Sequence, residues 1–140
     1  MAYTAMNMAK YIIDKCTGEQ HPISNLQLQK ILYYVQKAFL QSGGIAFDDD
    51  IEAWQFGPVV PEVYYQYCGF GAMPIRMNYE VDISDKDTFR IDPIVEVKRN
   101  LNPWDMVEDT HMAEKAWAEI YNNGQGNHRI IPKDLIRRKG

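Results

Sequence analysis

The sequence predicts an α+β fold, predominantly helical, as a single compact domain around a central buried helix. Three observations carry that prediction. Residues 24–40, SNLQLQKILYYVQKAFL, place apolar side chains on two stripes of a helical wheel. Proline and glycine fall where further helices would start and stop. Two short stretches, 51–56 and 129–131, have the extended character needed for a small sheet of two or three strands.

The central helix is the most legible element. Leu28, Ile31, Leu32, Val35, Ala38 and Phe39 share one face, and Leu26, Tyr33 and Leu40 make a second stripe. Gln29 and Gln36 lie between the stripes, while Gln27, Lys30, Lys37 and Gln41 mark the side expected to face water. An arc this wide requires packing from two directions. Ser24 followed by Gln27 has the form of a capping box, and Gly43-Gly44 supplies the stop.

The remaining elements follow in order. Thr4 is placed to cap a first helix running to about Lys15, with Ala5, Met8, Ala9, Ile12, Ile13 and Cys16 as its buried stripe and Gly18 as its end. Asp48, Asp49 and Asp50 read as a wet acidic turn, because a calcium loop needs alternating ligands and a glycine turn. Residues 51–56 form a strand with Ile51 and Ala53 on one side and Trp54 and Phe56 on the other, and Gly57-Pro58 a turn. Pro61 suits the first position of a helix over 61–67 that presents Val63, Tyr64, Tyr67 and Cys68 inward. Residues 73–89 read as irregular. Asp92-Pro93 starts a short helix to about Leu101, and Asn102-Pro103 starts another, carrying Trp104, Val107 and His111, that reaches Tyr121. Residues 126–131 are extended, and Pro132 opens a last helix.

Composition narrows the function. A chain of 140 residues with 46% apolar content is long enough for one core without staples. Its net charge of −4 argues against a nucleic-acid coat, which needs a basic surface. The basic tail Lys133, Arg137, Arg138 and Lys139 reads first as a helix C-terminus complementing its dipole. Cys16 and Cys68 are read as small core residues of a reducing compartment. With neither a signal-like segment nor an apolar run of membrane-spanning length, the expectation is a cytoplasmic protein with no membrane contact.

No motif for nucleophilic catalysis, phosphate binding or dinucleotide binding is present, and the three histidines lack metal-ligand spacing, so no enzyme activity, cofactor or metal is expected. His111 and Glu114 would share a helix face, either as an acid–base pair or as an ordinary surface pair. Tyr33, Tyr34, Trp54, Phe56, Tyr64, Tyr65, Tyr67 and Phe70 concentrate in one third of the chain, with no Lys or Arg between Ala38 and Ile75. Base-stacking platforms interleave aromatics with cations. This cluster therefore reads as core packing, with a protein-binding surface formed by whatever remains exposed.

Several segments resemble the Panacea domain family, which includes phage-associated GepA-like proteins and the SocA proteolytic adaptor. They are MAKYIIDK, ISNLQLQKILYYVQKAFL, IEAWQFGPVVPEVYYQY, THMAEKAW and RIIPKDLI, in the family's order and spanning most of residues 1–140 as one Panacea-like domain. Two features depart from the family pattern: Ala116 stands where a proline commonly precedes the tryptophan, and residues 79–101 are shorter and more polar. The resemblance implies a bacterial protein of prophages or mobile elements, an antitoxin that binds and neutralises a neighbouring toxin. It also implies, as in SocA, delivery of that toxin to a housekeeping protease. Transferred to matching positions, it assigns partner contact to segments 29–36, 54–58 and 110–117. The expected partner-binding residues are Tyr34, Trp54, Phe56, Pro58, Tyr65, His111, Glu114 and Trp117. Two alternatives stand beside it: a ligand pocket or enzyme site built on Gln29, Gln36 and His111, and a phage transcriptional regulator using the basic tail.

Overall fold

The computed structural model describes residues 3–110 and 115–140, with side chains described outside 107–110. The first helix, α1 (Ala5–Gly18), starts where Thr4 Oγ1 accepts the Asn7 N–H and buries the six residues of the expected stripe. The Ala5 N–H, left without an intrahelical partner, donates to Asp49 Oδ1 at 2.8 Å, so the acidic turn serves as an external cap.

Helix α2 (Asn25–Gln41) carries the capping box in both directions, Ser24 with Gln27. Twelve of its 17 residues are buried, which makes it the axis of the molecule. It touches α1, α3 (Pro61–Tyr67), α4 (Asp85–Lys98), α5 (Pro103–Thr110), α7 (Lys133–Lys139) and the sheet. One apolar cluster runs from Ala5 to Ile136 around it.

The sheet has the order β2-β1-β3, all antiparallel, from β1 (Ile51–Trp54), β2 (Gly57–Val59) and β3 (Arg129–Ile131). Ala53 faces Pro58 on one side and Arg129 on the other. Alternation along β1 buries Ile51 and Ala53, as the period-2 pattern requires. The hairpin turns at Gln55 and Phe56, two residues before the expected turn, and Gly57, at φ 126°, opens β2. Pro58 sits in that strand without harm because β2 is an edge and its missing N–H interrupts no ladder.

Three other expectations are corrected. Helix α4 starts at Asp85 instead of Pro93, which lies within it. Ser84 caps it by accepting the Asp87 N–H, and Tyr3 locks that cap from across the chain, accepting the Ser84 N–H and donating to Asp87 Oδ2 at 2.7 Å. Asp92 is not a cap; it accepts a hydrogen bond from Tyr11 of α1. The helix expected from Asn102 to Tyr121 divides into α5 and α6 (Ala116–Tyr121), because Lys115 is extended at φ −83° and ψ 157°. Asn122, Asn123 and Gly124, all at positive φ, then terminate α6. Cys16 is buried as expected, whereas Cys68 is exposed because α3 turns over into a short 3₁₀ segment there.

Gln36 ties the loop before β1 to the central helix. Its Oε1 accepts from the Ala46 and Phe47 N–H groups, and its Nε2 donates to the Phe47 carbonyl at 2.8 Å. Gln36→Leu leaves those backbone groups buried without partners. It is expected to lower unfolding stability by about 3 kcal/mol, read as a shift in urea midpoint.

Candidate functional site

Three of the concentrated aromatics, Trp54, Phe56 and Tyr64, come together with Trp104 and His128 around an open cup of about 510 Å³ on one end of α2. The hairpin supplies Trp54 and Phe56, α3 supplies Tyr64, the start of α5 supplies Trp104, and the turn before β3 supplies His128. Each is held by its ring neighbours. The Trp54 indole stacks on His128 at 4.2 Å and 9°, and meets Tyr64 edge-on at 5.1 Å and Tyr65 at 5.8 Å. Phe56 meets Trp104 edge-on at 5.8 Å. His128 holds its position through an unusual backbone, φ 68°, fixed by its N–H donating to the Ala53 carbonyl at 2.6 Å.

The predicted partner residues divide by burial. Phe56 and Tyr65 are 51% and 59% exposed, and Trp54 is half-buried. Tyr34 and Trp117, by contrast, lie in the core at 7% and 6% exposure, and Pro58 is buried as well. Tyr34 packs edge-on against Tyr33 beneath the Lys98 ammonium. Trp117 stacks on Tyr121 and donates its indole N–H to the Trp54 carbonyl at 2.8 Å, so it supports the hairpin from beneath instead of facing outward. His111 and Glu114 lie outside the described residues.

Of the polar trio proposed for a ligand pocket, His111 lies outside the described residues and the two glutamines are apart. Gln29 lines the cup, but Gln36 sits seven residues along α2, about 10 Å away along the helix axis. Gln29 is engaged in the fold: its Oε1 accepts from the Val60 N–H at 2.9 Å and its Nε2 donates to Asn25, whose own amide donates to the Tyr64 carbonyl. This relay fixes the start of α3 and with it one wall of the cup.

The basic tail is paired internally. Arg137 and Arg138 both bind Asp134, Lys139 binds Glu119, and Lys133 binds Asp50. Those pairs remove most of the charge a nucleic-acid patch would need. Among the described residues no group of three or more His, Cys, Asp or Glu is placed to hold a metal, and no helix is long and apolar enough to cross a membrane.

Sequence reading missed the floor of the cup. Lys30, expected on the wet side, is fully buried, and its ammonium donates to the Phe56 carbonyl. The available signal was its place four residues after Leu26 and three before Tyr33, at the edge of the second apolar stripe. Trp104, which helical spacing alone did not assign to the site, is 59% exposed and lines the cup from α5. Burial away from water pushes the Lys30 amine down from 10.5 to about 7.

The unfolded chain, with Lys30 near its ordinary value, binds more protons than the folded one between these two values, so stability rises with pH across that window. The gain from this residue between pH 7 and 9 is expected to be about 2 kcal/mol, measured by urea unfolding at each pH. Lys30→Met is expected to flatten that slope, which a surface lysine variant would leave in place.

A family described as "Antitoxin SocA-like, Panacea domain" matches residues 28–118. The chain is also 44% identical over 68 residues to a protein named Antitoxin SocA from Caulobacter vibrioides (strain NA1000 / CB15N), an alignment covering 48% of this chain and 36% of that protein. The chain therefore spans about a third of the length of that curated relative. No solved structure matches it. The family match runs from α2 through the hairpin, α3, α4 and α5 into α6, and so takes in the lining of the cup except Asn25, Leu26, Asn127 and His128. The chain belongs to the SocA-like antitoxin family defined by the Panacea domain.

Proposed function

We propose that this protein is an antitoxin that neutralises a toxin by binding it, with the rim of the aromatic cup as its docking face. The carrying observation is that three large aromatics, Phe56, Tyr65 and Trp104, are each more than half exposed around one site on structured elements. A folded protein exposes such a group where it meets a partner, and aromatic side chains held by their neighbours anchor interfaces at little entropic cost. Family membership and the name of the Caulobacter relative support a toxin as that partner. No catalytic constellation enters this reading, and binding alone performs the task.

Trp54, half-buried among His128, Tyr64 and Tyr65, acts as the base plate that aligns the rim. His111 and Glu114 enter the proposal as polar orienting groups through the family resemblance of their segment. Trp117 contributes by holding the hairpin from beneath, whereas Tyr34 and Pro58 are buried and belong to the scaffold.

The test is co-expression with the product of the adjacent reading frame, scoring growth and recovery of the complex. Growth rescue with a stable complex is the expected result; a toxic neighbour that this protein neither binds nor relieves would overturn the reading. Phe56→Ala with Trp104→Ala is expected to weaken the complex at least tenfold, about 1.4 kcal/mol, with the melting temperature held within a few degrees. The adaptor arm of the proposal, in which the bound toxin is passed to a housekeeping protease, adds a kinetic expectation. Toxin half-life after translation arrest should shorten when this protein is present, and an unchanged or longer half-life would leave neutralisation by binding alone.

A further inference from the structure

Lys30 is chemistry that a docking rim does not require. It is the charged side chain that the fold withdraws completely from solvent among the described residues. An ammonium offers three donors, and the fold uses one of them, to the Phe56 carbonyl. Among the described residues no carboxylate lies within ion-pairing distance of it. Burying a cation without a counter-charge is costly, and lysines at a domain surface ordinarily extend their heads to water. Lys30 lies instead beneath a cup that it and Phe56 both line.

The walls complete the description of what would fit. Trp54, Tyr64, Phe56 and Trp104 line the cup together, so much of the wall above the amine is aromatic. The volume of about 510 Å³ falls within the range of sites that enclose small organic molecules. The neighbouring amides are already satisfied within the protein, Gln29 by Val60 and Asn25, and Asn25 by Tyr64. The unspent hydrogen-bonding capacity of the floor is thus concentrated on the Lys30 amine.

We propose that the cup is a binding site for a small organic acid, with an anionic carboxylate received by the Lys30 ammonium and a flat apolar body held among Trp54, Phe56 and Trp104. The anion supplies the counter-charge that the fold omits, and the rings replace water on both faces of the ligand. Phe56 and its turn, lying over the amine and half exposed, must shift slightly to admit the carboxylate. Burial disfavours the protonated amine, and an anion brought beside it restores the charged form, so binding of the acid is coupled to proton uptake near pH 7. The inference rests on the geometry of the cup and is independent of the antitoxin reading.

The experiment is calorimetric titration of the full chain with 2-naphthoate, 2-naphthamide and acetate. The proposal expects one naphthoate per chain, bound at least tenfold more tightly than the isosteric neutral amide, with acetate giving no saturable signal. Lys30→Met, which replaces the buried cation with an apolar chain of similar length, is expected to erase the preference for naphthoate over naphthamide. Trp104→Ala, on an exposed wall whose loss does not threaten the core, is expected to weaken both aromatic ligands with Lys30 intact. Equal affinity for the acid and the amide, an unchanged preference in Lys30→Met, or no binding of naphthoate at millimolar concentration would overturn the proposal. So would a Lys30→Met variant that binds naphthoate as before yet loses the protein partner, since the lysine would then belong to the docking face.

Discussion

Helix α2 is enclosed by five other helices and the sheet, and that enclosure governs the rest of the structure. A helix packed on nearly every side cannot hold a polar side chain unless the fold brings it a partner. Four polar residues of α2 are buried, and each organises a piece of the chain that is remote in sequence. Gln36 fixes the loop that leads into β1, Gln29 and Asn25 fix the entrance and body of α3, and Lys30 reaches the tip of the hairpin. Hydrophobic burial explains why α2 lies at the centre. These directional contacts explain why the surrounding loops take one arrangement around it.

The hairpin shows how strongly the candidate site depends on that scaffold. Phe56 and Trp54 are held from below by the Lys30 bond to the Phe56 carbonyl and the Trp117 bond to the Trp54 carbonyl, and from the side by His128. The rim is thus exposed yet supported from beneath. Rigid aromatics lose little freedom on contact, which is the property a recognition surface needs. The same support brings an amine beneath the cup, where its one bond to the hairpin leaves two of its three donors unused.

The ion pairs occupy a different role. Glu19 joins Lys15 and Arg99 at 2.7 Å each, and Glu96 meets Lys15 from α4, linking the end of α1 to the end of α4 across the surface. Arg99 and Lys15 hold the Glu19 carboxyl below its usual range. Together with the Tyr11–Asp92 bond they hold α4 against α1. The Lys15 and Arg99 side chains are only 9% and 12% exposed, so these carboxylates supply the counter-charges that two largely enclosed cations need.

Local chemistry in the sequence determined α1, α2 and α3 almost completely. Thr4, Ser24 and Pro61 are start signals acting within one turn, and helical periodicity names the buried stripe without reference to the rest of the chain. The family was legible as well, because its segments are contiguous. The start of α4 was not, since the cap at Ser84 is completed by Tyr3, 81 residues away, and a proline inside a helix reads locally as its beginning. The break at Lys115 and the exposure of Cys68 and Trp104 likewise depend on neighbours that periodicity does not name. Lys30 is the sharpest case. Its type predicts water, its position on the wheel predicts a stripe edge, and only the hairpin folding over it from residues 51–59 decides that it is buried. Sequence alone determined which helices form and which faces they bury, because those depend on contacts within a few residues. Tertiary structure decided which polar groups are enclosed and which aromatics remain outside, because both depend on what the rest of the chain places beside them.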